Sequence, residues 1–286
     1  MRTAWVIARN TFGDALRKRI LLIFLLLSFV MLVLALALNY FTAREQGYIF
    51  KSTGLMIVLI FGALIAITTA VFLIPNEMER RTIYSVLAKP IQRWEFFIGK
   101  FLGGAMTVGF MVGLMSLALM LVLTVLAIKP PTSAVDPNAQ QQAFNAAEWL
   151  ARAGRDVLLV LRGTIVIYFQ LVIVTAIATT LSLFLTPTVN FSMTAFIWIV
   201  GSLQFIVSAL ANRNKESFVL IPWLAKGFYY LLPHFHDFNI MGSIISPQVE
   251  VKVNHWQYAA TVSAYGVAYA LLWLLVGIMV FDRKEV

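Results

Sequence analysis

The sequence predicts an all-α protein that is integral to a membrane and crosses it six times. Only 35 of its 286 residues are charged, or 12%, whereas a soluble domain carries about 25%. Hydrophobic residues make up 60% of the chain, in runs of the length that crosses a hydrocarbon core roughly 30 Å thick. Because these runs are continuous rather than alternating, they predict helices and not a barrel.

Residues 1–19 predict an amphipathic helix that lies in the membrane surface, with its charged side chains mostly on the opposite face. Its apolar residues recur at helical spacing, and they are Trp5, Ala8, Phe12 and Leu16; Arg9 is on the other side. The alternative is a signal peptide, with residues 20–34 as its apolar core and Ala35-Leu36-Ala37 as a cleavage site. The length and pattern of the leading segment favour the interfacial helix.

Six apolar runs follow and predict the spanning helices, which together form a single transmembrane domain over residues 1–286. They cover residues 20–40, 54–74, 98–128, 157–185, 189–211 and 258–281. Arg17-Lys18-Arg19 precedes the first run, so the positive-inside rule places the amino terminus in the cytoplasm. An even number of spans then brings the carboxyl terminus to the same side.

Two longer segments are expected on the outer side. Residues 129–156 contain Pro130-Pro131 and a glutamine-rich stretch, which are typical of a solvated loop. Residues 212–257 include an apolar stretch that Pro222 and Lys226 interrupt, so it is too broken to span. We expect a re-entrant hairpin there, which enters the outer leaflet before the last span.

Residues 76–97, here called the charged segment, stand out from the rest of the chain. Eight of the 25 residues from 76 to 100 are charged. Thr82 predicts a helix cap and Pro90 a helix end. Between them Ile83, Tyr84 and Leu87 would share one face. The pattern predicts a short helix parallel to the membrane with an apolar face for a soluble partner; the alternative is a solvated loop with anchoring cations.

The order of residues in this region resembles the signature of ABC-2-type transporter permeases. That order is Glu77/Glu79, Thr82, Leu87, Pro90, Arg93, Glu95-Phe96 and Gly99-Lys100. The chain departs from the pattern at Arg81, where many relatives have glycine. The resemblance implies that the helix around residues 82–90 is a coupling helix resting in a cleft of an ATPase subunit, and that the amino-terminal helix makes a second contact.

The resemblance also implies an export function for the chain as the membrane subunit of an ATP-driven transporter. The chain has no GxxxxGK[ST] phosphate loop, so a separate subunit would bind ATP and Mg²⁺, and this chain is expected to be neither an enzyme nor a cofactor carrier. The residues expected to dock the ATPase are Glu77, Glu79, Thr82, Ile83, Tyr84, Leu87, Pro90 and Arg93. A second copy of the chain, an external accessory protein and the lipid bilayer of a prokaryotic inner membrane are the other expected partners.

Other functions have weaker support in the sequence. The spans have almost no ionisable residues near their centres, which disfavours a secondary transporter. A mechanotransmitter acting on an external partner stays open. The net charge of +9 is explained by cations at span ends, so nucleic-acid binding is not expected. A membrane protease would need histidines near Glu77, but all three histidines are expected on the outer side.

Two smaller patterns leave their roles undecided. His234, His236 and Asp237 are suitable metal ligands, yet alternate residues face one ligand only in an extended chain, so we assign no metal there. The other pattern consists of two small-xxx-small steps in the third span, Gly99/Gly103 and Gly109/Gly113. Such steps allow close helix packing, either within the chain or across a dimer.

Overall fold

The computed structural model describes residues 2–39, 46–75, 92–127, 146–203, 233–238 and 255–283. Over these ranges the protein is all-helical, as predicted, with seven α-helices, one short 3-10 helix at Phe235–Phe238, and no strand. The α-helices are α1 (Arg2–Leu16), α2 (Arg19–Asn39), α3 (Gln46–Val71), α4 (Arg93–Ala127), α5 (Ala146–Leu181), α6 (Pro187–Ser202) and α7 (His255–Arg283).

Five helices, α2 to α5 and α7, are long and apolar enough to cross a membrane. They correspond to five of the six predicted spans. The predicted span at 189–211 coincides with α6, which has 16 residues as far as Ser202, and its remainder lies outside the described residues. The count of six spans therefore stays a prediction.

Several helices extend beyond the predicted spans. The largest difference is at α5, which begins at Ala146, whereas residues 129–156 were expected to form a solvated loop. The prediction was wrong for residues 146–156 because it followed hydropathy. The sequence Ala146-Ala147-Glu148 and the residues after it are good helix formers, so the helix continues past the apolar run.

Helices α3, α4 and α5 form the centre of the bundle, and α3 is the most buried of the five long helices. Gly54 of α3 lies against Leu119 of α4, and Gly62, further along α3, lies against Val112. Helices α3 and α4 are therefore antiparallel. The pairs Leu55/Gly163 and Gly62/Leu171 show in the same way that α3 and α5 are parallel, as expected if successive helices cross in alternating directions.

Helix α6 is joined to α5 by a short turn and a buried polar contact. Pro187 is the first residue of α6, a position where its missing N–H and fixed φ are tolerated. The Asn190 side chain donates a hydrogen bond to the carbonyl of Ala178 at 3.0 Å. The Thr194 hydroxyl in turn donates to the Asn190 side-chain oxygen at 3.0 Å. Both polar groups are thereby satisfied inside an apolar environment.

The 3-10 helix packs inside the bundle against α5, α6 and α7, and Phe235 and Phe238 are buried there. The Tyr258 hydroxyl of α7 donates a hydrogen bond to the backbone carbonyl of Asp237 at 2.8 Å. The backbone N–H of His234 donates to the Tyr265 hydroxyl at 3.3 Å. Residues 233–238 belong to the predicted outer segment 212–257. Most of that segment lies outside the described ranges, so the re-entrant hairpin stays a prediction.

Candidate functional site

The charged segment is described only from Gln92 onward. Its earlier part includes Glu77, Glu79, Thr82, Ile83, Tyr84, Leu87 and Pro90, which all lie outside the described residues. Their role in docking is still a prediction. Arg93 is half-buried in the first turn of α4. The structure describes the residues that flank residues 76–91 on both sides. These flanking residues show where the segment joins the bundle.

Both attachment points belong to one apolar cluster, here called the terminal cluster. It consists of Leu73, Ile74, Phe96, Phe97, Phe101, Ala105, Val172, Ala176, Leu183, Ala270, Leu274 and Phe281. Leu73 and Ile74 directly follow α3, and the other members come from α4, from α7 and from α5 with the turn after it. The two chain ends that flank residues 76–91 therefore share one cluster with residues of α5 and α7.

Three phenylalanines form the centre of the terminal cluster. Phe281, from the end of α7, is 1% exposed, and so are Phe96 and Phe97. The Phe281 ring centroid lies 6.1 Å from that of Phe96, in a stacked arrangement, and 6.2 Å from that of Phe97. Aromatic pairs at this spacing contribute about 0.5–1.5 kcal/mol beyond their burial. The end of α7 is thus fixed to the first turn of α4.

A close helix contact next to the cluster holds α7 against α4 and α5. A Cβ atom added at Gly277 would lie 2.4 Å from Phe97 Cζ and 3.1 Å from the Thr180 hydroxyl oxygen. One turn earlier in α7, the carbonyl of Trp273 accepts a hydrogen bond from that hydroxyl at 3.0 Å. Glycine at position 277 permits this approach, because any larger residue would collide with the Phe97 ring.

Helix α1 packs along the first half of α4 and in the same direction. A Cβ atom at Gly99 would lie 2.8 Å from the carbonyl oxygen of Ala4, and one at Gly103 would lie 2.7 Å from that of Ala8. The Phe12 ring meets Phe110 of α4 edge-on, with centroids 5.8 Å apart. The structure therefore places the first predicted glycine pair in a contact within the chain.

The face of α1 that is buried against α4 consists of small side chains. These are Ala4, Ala8, Thr11 and Ala15, all buried. Trp5 is 59% exposed and Arg9 is exposed as well, while Phe12 and Leu16 are half-buried. A helix that lies against glycines comes too close for a large ring, so Trp5 lies outside this contact, and its predicted place at the membrane surface stays a prediction. The prediction did not include Ala4 and Thr11, whose spacing of four and three residues from Ala8 is the signal for this packed face.

Polar contacts accompany this packing. The Glu95 carboxylate, in the first turn of α4, accepts a hydrogen bond from the Thr3 side chain. Lys100 is buried, with its Nζ 5.7 Å from the centre of the Phe96 ring. At the end of α1, the Nζ of Lys18 lies 5.9 Å from the centre of the Phe72 ring. Thus α1, the start of α4 and the end of α3 are held together beside residues 76–91.

The second glycine pair is divided between two environments. A Cβ atom at Gly109 would lie 2.9 Å from Cε2 of Tyr168 on α5, whereas a Cβ atom at Gly113 would have no atom of another described helix within 4 Å.

Among the described residues, no group of three His, Cys, Asp or Glu side chains converges. His234 contacts the Tyr265 ring, with centroids 6.5 Å apart, and the His236 side chain is outside the description.

Comparison with known protein families gives a match over most of the chain. The model of a family described as "ABC-2 family transporter protein" matches residues 5–286, nearly the whole chain. A search of curated proteins finds no match. The matched range includes every helix of the candidate site except the first three residues of α1.

Proposed function

The chain belongs to the ABC-2 family of transporter proteins, and from that premise we propose that it couples ATP hydrolysis by a separate ATPase subunit to export across the membrane. In this account the chain is the multi-pass permease subunit, and the ATPase holds the ATP and Mg²⁺. The sequence contains no phosphate loop, which supports the assignment of ATP binding to a separate subunit. We place it in a prokaryotic inner membrane with both termini in the cytoplasm.

The observation that carries the proposal is the anchoring of both ends of residues 76–91 in the terminal cluster. A force on the docked segment would reach Ile74 on one side and Phe96 on the other. Close-packed interiors have low compressibility and transmit strain. Because Phe281 is stacked on Phe96, the displacement passes to α7, and the cluster residues of α5 move with it.

Helix α1 is proposed as a second contact with the ATPase. Its buried face fixes it to α4 through Gly99 and Gly103, so the two helices move as one unit. Trp5, Arg9 and the rest of its exposed face are then available to the ATPase or to lipid head groups. We further propose that two copies of the chain form the pathway, and that an external accessory protein binds the outer segments.

A single charge in the docking face tests the proposal. Leu87→Glu places a carboxylate on the face expected to be buried against the ATPase. We expect an ATPase to copurify with the wild-type chain from its native host and to be lost with Leu87→Glu. Mass spectrometry identifies that subunit by its phosphate-loop sequence, and ATP hydrolysis by the eluted complex confirms that it is active.

The matched control is Thr188→Glu, which adds the same charge at an exposed residue in the first turn of α6, outside the charged segment in the sequence. It should copurify with the ATPase as the wild type does. Capture of the ATPase by Leu87→Glu at the wild-type level would contradict docking through this face. Absence of an ATPase from every preparation would contradict the coupling proposal itself.

A further inference from the structure

Arg162 is a charged residue within an apolar stretch of α5, and the described contacts do not neutralise it. Its guanidinium carbon lies 4.5 Å from the centre of the Trp256 ring, at the start of α7. Its Nε is buried and has no hydrogen-bond partner among the residues that the structure describes. A buried donor without an acceptor costs about 1–3 kcal/mol, and more when the group is charged.

The position of Arg162 along the bundle can be given relative to an ion pair. Lys51, near the start of α3, and Asp156, in the first third of α5, form a partly exposed salt bridge. Arg162 is six residues further along α5, which corresponds to about 9 Å at 1.5 Å per residue. A long arginine side chain can bridge such a distance, because it extends toward the membrane interface from a backbone position inside the apolar region.

The surroundings of Arg162 open toward the lipid. Leu158 and Leu161 on α5 are both exposed, and so is Trp256. Asp156, the nearest acidic residue along α5, is already paired with Lys51. A cation at a lipid-facing position needs a counter-ion, because a charge in or near hydrocarbon is costly. Among the described residues no carboxylate supplies one.

We propose that Arg162 and Trp256 form a binding site for a phosphate group, in the leaflet at the end of the bundle where α3 and α5 begin. Trp256 contacts the face of the guanidinium by a cation–π interaction. The N–H groups in the plane of the guanidinium then bind the phosphate oxygens, a geometry that suits arginine better than lysine. A phospholipid head group carries such a phosphate at the membrane interface, and free phosphate has the same chemistry.

Native mass spectrometry of the full-length protein tests this site. The protein is released from micelles containing either phosphatidylglycerol or a phosphate-free glycolipid with the same acyl chains. We expect one phosphatidylglycerol molecule to stay bound per chain and the glycolipid to be lost. Arg162→Gln should weaken retention on the order of tenfold, since it removes charge-assisted hydrogen bonds. Arg155→Gln, at an exposed position on the same helix, should leave retention unchanged.

The outcomes separate the sources of the phosphate. Loss of phosphatidylglycerol when inorganic phosphate is added would support the phosphate site and assign it to the free anion. Equal retention of both lipids by the wild-type protein would overturn the proposal, and this comparison does not require any variant to fold. Equal retention of phosphatidylglycerol by the wild type and by folded Arg162→Gln would overturn it as well.

Discussion

Replacement of Gly103 by leucine is expected to displace α1 from α4 and to lower the thermal stability of the purified protein. The first added carbon would lie 2.5 Å from Thr11 Cβ and 2.7 Å from the backbone oxygen of Ala8. A backbone atom cannot rotate away, so the helices must separate. Overpacking of this kind costs about 1–3 kcal/mol, and we expect the upper end of that range. Thermal unfolding in detergent measures the change.

Gly113→Leu is the matched control, since it makes the same substitution on the same helix. Within the described ranges, no atom of another helix lies within 4 Å of a Cβ at Gly113, and leucine has the higher helix propensity, so stability should not fall. Equal losses of stability for Gly103→Leu and Gly113→Leu would show that the contact between α1 and α4 is not the cause. A loss of stability for Gly113→Leu alone would indicate that Gly113 contacts a second chain in the purified protein.

Phe281→Ala is expected to have the second large effect, because it removes the ring that joins α7 to α4. Phe281 is 1% exposed and contacts both Phe96 and Phe97. Truncation of a buried phenylalanine to alanine costs about 3–5 kcal/mol. We expect a large decrease in the unfolding temperature of the purified protein. We also expect loss of transport-coupled ATP hydrolysis in the complex with the ATPase.

We expect Phe281→Ala to keep binding of the ATPase while losing coupled ATP hydrolysis. Because Phe281→Ala does not change the proposed docking face on residues 82–90, the ATPase should still copurify with this variant, in contrast to Leu87→Glu. Met279→Ala is the control, since Met279 is 64% exposed on the same helix and its truncation leaves no cavity in the cluster. If Phe281→Ala had the stability and coupled hydrolysis of Met279→Ala, the terminal cluster would not be the route of transmission.

The positions of the long helices could be predicted because an apolar run of about 20 residues has few alternatives to a membrane-spanning helix. Their ends could not be predicted as well. The start of α5 at Ala146 is decided by ordinary helix propensity outside the apolar run, and hydropathy does not report it. Helix α3 also begins before its predicted span, at Gln46 rather than at residue 54, and helix propensity does not explain this start, because residues 46–54 include Gly47 and Gly54.

The packed face of α1 shows a different limit of sequence reasoning. Hydrophobicity predicts an apolar face with Trp5, Phe12 and Leu16, but the burial of a helix against glycines depends on small side chains such as Ala4 and Ala8. The two glycine pairs look alike in the sequence. Only the structure shows that Gly103 touches another helix and that Gly113 does not, because this depends on which helix lies beside each turn.

No local pattern in the sequence predicts that the residues of the terminal cluster come together. Phe281 is nearly 190 residues from Phe96 and Phe97 along the chain, and each of these residues is one apolar side chain among many in its own helix. Their contact follows from the packing of α7 against α4 and α5. The charged segment, by contrast, was recognised from its composition and its resemblance to permeases, although its docking role still depends on direct tests.

The most direct test of coupling is to identify what Leu87 touches. The chain contains no cysteine, so Leu87→Cys provides a single thiol for a photoreactive cross-linker, and Thr188→Cys provides the control. Illumination of native membranes followed by mass spectrometry should join residue 87, and not residue 188, to a protein with a phosphate loop. Cross-links from residue 87 only to lipid or to other parts of this chain would contradict the proposal that the charged segment docks an ATPase.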